Sequence, residues 1–219
     1  MTTLGQHESV AAVFDDDMDE EALLAAWAQA DEDALEVLLE ALPRLADTSV
    51  PLPQLQAAVA RIRAGVADST WPYDYFRPAA NWGAAPLPHD DFECFMDALV
   101  STMLPVGDVE DWEPEELAAV ASLEHADWVG SVVGVVRAGP GASMDPEAML
   151  DYIDNCPELE GDRDPGDDIV IEHAFEVLMP LWQAIGIVDG ERRVTRLGIW
   201  ALPMLLITAW SVEATDGSG

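Results

Sequence analysis

The chain has 219 residues, a net charge of −34 and a hydrophobic fraction of 50%, which together describe an acidic chain long enough to bury a core. All nine of its basic residues are arginines, so reactions that need a lysine ammonium, such as those of P-loop NTPases and protein kinases, are excluded. The charge also argues against direct binding to nucleic acids or anionic membranes, because both surfaces would repel it.

The N-terminal residues, the apolar stretches and the cysteines favour a cytoplasmic protein. The first twenty residues have neither the basic nor the apolar segment of a secretory signal. The longest apolar stretch, Leu197–Trp210, contains Pro203 and is too short to cross a bilayer. Cys94 and Cys156 are too few for a disulfide framework or a cysteine zinc site, so we expect both to be small buried hydrophobic residues.

The first half of the chain predicts a helical domain over residues 15–107, preceded by a flexible tail over 1–14. Its apolar residues recur at helical spacing, most clearly after Asp91, where they follow i, i+3, i+4 and i+7. The predicted helices end near Ala30 and near Ala46, run from Pro53 to Val66, and run from Asp90 or Asp91 to Leu104.

An aromatic and proline-rich loop is predicted between the third and fourth of these helices, over residues 70–90. Aromatic residues and arginine are frequent anchors of protein interfaces, so one hypothesis is an exposed recognition loop. The alternative is that the aromatic side chains fill the gap between the two halves of the chain. The candidate partner-binding residues of this loop are Trp71, Tyr75, Arg77 and Trp82.

Residues 108–219 predict a second helical domain. An acidic loop over residues 157–168 interrupts its helices, and we consider its aspartates candidates for binding a partner rather than a metal, because the terminal glutamate of a calcium loop is missing. These aspartates are Asp162, Asp164, Asp167 and Asp168. The predicted helices run from Pro114 to Leu123, through Trp128 to Val136, from Pro146 to Asn155, from Ile169 to Ile185, and onward from Leu197.

Residues 186–198 follow the pattern Gly-Ile-Val, an Asp-Gly turn, Val-Thr-x-Leu-Gly. Preceded and followed by a helix, this pattern resembles the recognition helix and wing of winged-helix proteins of the MarR and PadR type, over residues 125–212. The C-terminal half also resembles uncharacterised acidic proteins of high-GC bacteria. The winged-helix resemblance implies a mainly α fold with a small β-hairpin, in which the helix before the wing enters the DNA major groove.

The helix that matches the recognition helix differs from that family in its charges. It carries Glu172, His173 and Glu176 and no arginine, so a DNA duplex would repel it. The matching wing carries Arg192, Arg193 and Arg196, which are the chain's one basic cluster in sequence. These arginines either contact a phosphate or an acidic partner, or pair with the protein's own carboxylates.

No combination of nucleophile, base and orienting group emerges from the sequence, so we expect neither catalysis nor a cofactor nor a bound metal. We expect an acidic, cytoplasmic, non-enzymatic interaction module that engages a basic protein, with DNA mimicry as its most specific form. One alternative is a winged-helix transcription regulator that uses Arg192–Arg196. Another is a protein whose acidity serves only solvation or adaptation to high salt.

Overall fold

The described part of the chain is mainly helical. The computed structural model describes residues 50–73, 76, 78, 87, 89–103, 120, 123–156 and 167–211. Within these residues the helices are α1 (Leu52–Ala67), α2 (Asp91–Val100), α3 (His125–Ala138), α4 (Pro146–Asp154), α5 (Asp168–Ile185) and α6 (Arg196–Ser211).

The helices predicted from apolar periodicity in this part of the chain are confirmed, with small shifts at their ends. α2 begins where it was expected, because the carboxylate of Asp90 accepts the backbone N–H groups of Phe92 and Glu93 at 2.9 and 3.1 Å. It ends at Val100 rather than at Leu104. The hydroxyls of the next two residues donate to carbonyls of the last helical turn and so help to end it, from Ser101 to Ala98 at 2.8 Å and from Thr102 to Leu99 at 2.7 Å.

Two glycines end helices in the C-terminal half. Gly139 follows α3 with a φ of 84°, and Gly186 follows α5 with a φ of 81°. A side chain would strain the backbone in this left-handed region, which explains why glycine stands at both positions. These two stops set the lengths of α3 and α5.

A single hydrophobic core includes residues of all six helices, and α5 lies at its centre. α5 packs against α1, α2 and α4, while α3 packs against α4 and α6. The rings of Phe175 and Trp182 on α5 each meet the indole of Trp128 on α3 edge to face, with centroids 6.3 Å apart. Such close packing fixes the outward face of α5 as well as its inward face.

The predicted β-hairpin is wrong. The described residues contain no strand, and only isolated bridges pair Val188 with Val194 and Ser143 with Arg193. The mainly α architecture is thus confirmed for the described part of the chain, without the hairpin. The resemblance to winged-helix proteins stays a prediction.

The local hydrogen bonds explain why no hairpin forms. The carboxylate of Asp189 accepts the backbone N–H groups of Glu191 and Arg193 at 2.8 and 3.0 Å, which curls the chain into a turn. Arg192 then adopts a left-handed φ of 57°. On one edge Arg192 and Val194 bond to residues 141–144. On the other edge the N–H groups of Asp189 and Thr195 donate to the carbonyls of Arg193 and Ile187, but the pairing stays at isolated bridges and does not extend into a two-stranded ladder.

Several predictions concern residues outside the described part. These are the tail over 1–14, the helices ending near Ala30 and Ala46, the helix from Pro114 to Leu123 apart from Val120 and Leu123, and the domain boundary between residues 107 and 108. All of these stay predictions. Among the described helices, none combines the length and the apolar composition that a bilayer crossing requires.

Candidate functional site

A row of exposed carboxylates runs along α4. Glu147, Asp151 and Asp154 follow i, i+4, i+7, and all three residues are exposed. The opposite side of the helix is held in place by burial of Met149, Leu150 and Ile153. The helix therefore turns its acidic side outward because its apolar side packs on α3 and α5.

A second pair of exposed carboxylates lies on α5, the helix that packs against α4. Glu172 and Glu176 are one turn apart and both are exposed, while Phe175 between them is fully buried. Together with Asp145, which precedes α4, the carboxylates on these two helices form what we call the acidic surface. Its residues are Asp145, Glu147, Asp151, Asp154, Glu172 and Glu176.

The spacing of these carboxylates can be compared with that of DNA phosphates. Residues four apart on a helix are separated by ~6 Å along its axis. One strand of duplex DNA carries a charge every ~3.4 Å of axis. Each helix of the acidic surface therefore presents about half the linear charge density of a DNA strand.

One arginine is already bound at the edge of the acidic surface. The guanidinium of Arg192 donates two hydrogen bonds to the carboxylate of Glu176, at 2.6 and 2.9 Å. It also lies 3.6 Å from a carboxylate oxygen of Asp145. These contacts raise the pKa of Arg192, chiefly through the hydrogen bonds to Glu176. Arg192 thereby joins the turn after α5 to the start of α4.

The other wing arginines differ in how they are held. Arg193 donates to the backbone carbonyl of Gly141 at 3.1 Å and lies 3.8 Å from the carboxylate of Glu191. Arg196 is exposed at the first position of α6, and no ion pair to it exists within the described residues. The three arginines therefore have different environments. The pairing with the protein's own carboxylates, which was the alternative to phosphate binding, is observed for Arg192.

Three carboxylates of the acidic surface have no such cation. In the described part of the chain, Glu147, Asp151 and Glu172 form no ion pair. They are exposed, so water solvates them in the isolated protein. A basic partner could approach these three groups without displacing an arginine of the protein itself.

The structure places Trp71, a candidate of the aromatic loop, in the core. Only 8% of this residue is exposed, and its indole N–H donates to the carbonyl of Phe76 at 2.8 Å. The hydroxyl of Ser101 lies 3.2 Å from the same carbonyl and shares its single proton between that oxygen and the nearer carbonyl of Ala98. The hypothesis that Trp71 is an exposed anchor is therefore corrected, because its ring is buried in the core and its N–H group is hydrogen-bonded there.

The remaining candidates divide between described and undescribed residues. Asp167 is exposed just before α5, and Asp168 is half-buried in the first turn, where a carboxylate is favoured by the helix dipole. The others lie outside the described residues, so their roles stay predictions. They are Tyr75, Arg77, Trp82, Asp162 and Asp164.

The residues that sequence reasoning left out of the candidate site are those of α4 and of the outward face of α5. The signal was present, since acids four apart at 147 and 151 and at 172 and 176 share a helix face. What the sequence did not contain was the packing of α4 on α5 and the bridge by Arg192, which brings Asp145 and Glu176 together.

The described residues contain no group of three or more histidine, cysteine or acidic side chains placed to bind a metal. Cys94 and Cys156 are buried, as expected, and form no disulfide. Burial raises the pKa of the Cys94 thiol and outweighs the opposing charge of Arg63, and the neighbouring carboxylates of Asp97 and Asp91 raise the pKa further. This environment disfavours the reactive thiolate.

Comparison of the chain with known protein families, with curated proteins and with solved structures returned no match.

Proposed function

We propose that this chain is a non-enzymatic, cytoplasmic interaction protein that binds a basic protein partner through the acidic surface of α4 and α5. The observation that carries the proposal is the contrast within that surface. Glu176 and Asp145 already hold a guanidinium, while Glu147, Asp151 and Glu172 form no ion pair in the described part of the chain. The surface thus has the chemistry that binds arginine, and it has carboxylates left to do so.

The same contacts favour this function over that of a DNA-binding regulator. Arg192 would have to leave Glu176 to reach a phosphate, which costs a bidentate, charge-assisted pair. Arg193 donates to a backbone carbonyl, so it too is engaged. The outward face of the helix before the turn carries Glu172 and Glu176, which a duplex would repel.

DNA mimicry is the most specific form of the proposal. A charge density about half that of a DNA strand on each helix is enough to attract a basic surface. A partner that uses its DNA-binding face would then bind either this protein or DNA, and the two would compete.

The test is a pulldown from host lysate with the full chain and two variants that remove the same charge. Asp151→Asn with Glu172→Gln neutralises one acid on each helix of the acidic surface. Asp68→Asn with Glu93→Gln neutralises one exposed acid just after α1 and one on α2 and serves as the matched control. Mass spectrometry identifies what each form captures, with and without added duplex DNA.

We expect the unmodified chain and the control to capture the same basic protein. The acidic-surface variant should capture about two- to thirtyfold less, since each of the two exposed charges contributes roughly 0.2–1 kcal/mol. Competition by DNA would support mimicry. Equal losses in both variants would mean that overall charge, rather than this surface, attracts basic proteins. Capture of no basic protein by any form would favour solvation as the role of the acids.

A further inference from the structure

A large and mostly exposed apolar side chain lies beside the acidic surface. Ile169, the second residue of α5, is 75% exposed. It is the most exposed of the large hydrophobic residues in the described part of the chain. The adjacent Val170 is half-buried. Because its side chain is mostly exposed, packing in the core does not account for an isoleucine at this position.

The helical register puts Ile169 in line with the acids. Ile169, Glu172, His173 and Glu176 stand at i, i+3, i+4 and i+7, which is one face of α5. Neighbours at these spacings are about 5–6 Å apart between their Cβ atoms. The outward face of α5 therefore begins with an exposed apolar residue and continues with carboxylates.

Charge decides what can cover such a face. A second copy of this chain would place carboxylates against carboxylates, and nucleic acid would be repelled in the same way. A polycation without apolar residues would leave Ile169 in water. A basic protein segment with an apolar residue one turn from its cations satisfies both features, because its cations meet the carboxylates while its apolar residue covers Ile169.

We infer that the partner docks on α5 with a basic amphipathic helix, whose apolar residue packs on Ile169 and whose arginines reach Glu172 and the neighbouring acids of α4. The inference rests on the proposed function and adds to it the chemistry of the partner. Apolar burial supplies part of the affinity and fixes the register of the bound helix. The carboxylates supply attraction and speed of association.

The experiment measures binding of the full chain to two synthetic peptides of about 14 residues, which is about four helical turns. Both peptides have the same composition of arginine, leucine and alanine. One places its leucines on a single helical face, and the other distributes them around the helix. Fluorescence anisotropy gives the dissociation constants at ~0.05 M salt, where surface charges are weakly screened, and at ~0.15 M salt, where they are screened more strongly.

The decisive variant is Ile169→Gln, and its matched control is Leu52→Gln, which removes an exposed leucine from α1. Both positions are at the surface, so the folded state tolerates glutamine, and a thermal melt of each variant checks this. We expect the amphipathic peptide to bind the unmodified chain about tenfold more tightly than the scrambled one, the factor expected for partial burial of one large aliphatic side chain.

Ile169→Gln should abolish the difference between the two peptides, and Leu52→Gln should preserve it. If the unmodified chain binds both peptides equally, the inference is overturned while the proposed function stands on charge alone. If neither peptide binds at the lower salt concentration, both are overturned. If Ile169→Gln leaves the tenfold difference intact, the apolar contact lies elsewhere and the inference fails.

Discussion

Gly134 on α3 faces Tyr152 on α4 so closely that a Cβ at position 134 would lie 2.7 Å from Cγ of the tyrosine ring. Real Cβ atoms do not approach a neighbour this closely, and the contact lies where the two helices cross. The acidic row of α4 therefore depends on a glycine in another helix for its position.

Gly134→Ala should lower the free energy of unfolding by about 1–3 kcal/mol, because overpacking outweighs the gain in helix propensity. Gly65→Ala is the matched control, since a Cβ there would meet its nearest atom at an ordinary 3.5 Å. The control should stabilise by about 0.5–1 kcal/mol. Chemical denaturation measures both, and a Gly134→Ala protein as stable as the parent would contradict the close crossing.

The ion pair between Arg192 and Glu176 should contribute measurably to the free energy of unfolding. Glu176→Gln weakens a bidentate pair between half-exposed side chains, so we expect a loss of about 0.5–1 kcal/mol in the free energy of unfolding. Glu172→Gln changes the same charge on the same helix face without breaking an ion pair in the described residues, and should change stability little. Equal effects of the two substitutions in urea unfolding would count against a specific pair.

Trp71→Phe distinguishes a core tryptophan from an exposed anchor. The substitution keeps an aromatic ring but removes the N–H that donates to the carbonyl of Phe76. We expect a loss of about 1 kcal/mol, as for one buried hydrogen bond, because the Ser101 hydroxyl, which shares its proton with the carbonyl of Ala98, replaces that bond only in part. Differential scanning calorimetry would show it as a lower Tm. An unchanged Tm would return Trp71 to the candidate partner-binding residues.

The buried thiol of Cys94 predicts both a reactivity and a pH dependence. Its pKa is raised above the ordinary 9.0, mainly by burial, so the folded state favours the protonated thiol. The stability from this preference is fully present below pH 9 and is lost as the pH rises through the higher pKa of the folded state.

The free energy of unfolding should therefore fall above about pH 9. The fall should be smaller in Cys94→Ala, when each protein is compared with its own stability at neutral pH. Near neutral pH a thiol reagent should label Cys94 slowly in the folded protein and rapidly in denaturant. Peptide mapping by mass spectrometry separates this thiol from Cys156. Rapid labelling of Cys94 in the folded state would mean that the site is open to solvent.

The helices could be predicted because their apolar residues repeat at a helical period and their ends carry recognisable signals. Asp90 and Gly186 are examples of such signals, one a side-chain cap and the other a left-handed stop. The turn after α5 could not be predicted in the same way. An Asp-Gly pair favours a hairpin locally, but here the pairing across the turn is limited to isolated bridges, and the chain from Arg192 to Val194 also bonds to residues 141–144, which the sequence does not place nearby.

The candidate site could be predicted only in part from the sequence, for a similar reason. Acids one turn apart indicate a charged helix face, and the spacing of Glu172 and Glu176 was visible. Their relation to Asp145 and Arg192 depends on the packing of α4, α5 and the turn, which is a tertiary property. The burial of Trp71 likewise depends on its contact with Phe76 and on the packing of α2.

The pairing of Arg192 also determines what kind of cation can bind Glu176 in its place. Because Arg192 belongs to the same chain, its effective concentration at that carboxylate is in the millimolar range or above, whatever the concentration of the protein. A free arginine or a single basic side chain competes poorly against such a tethered ion. Only a multivalent ligand, whose other cations first engage the neighbouring carboxylates, would bring a rival guanidinium to comparable local concentration and exchange it for the protein's own.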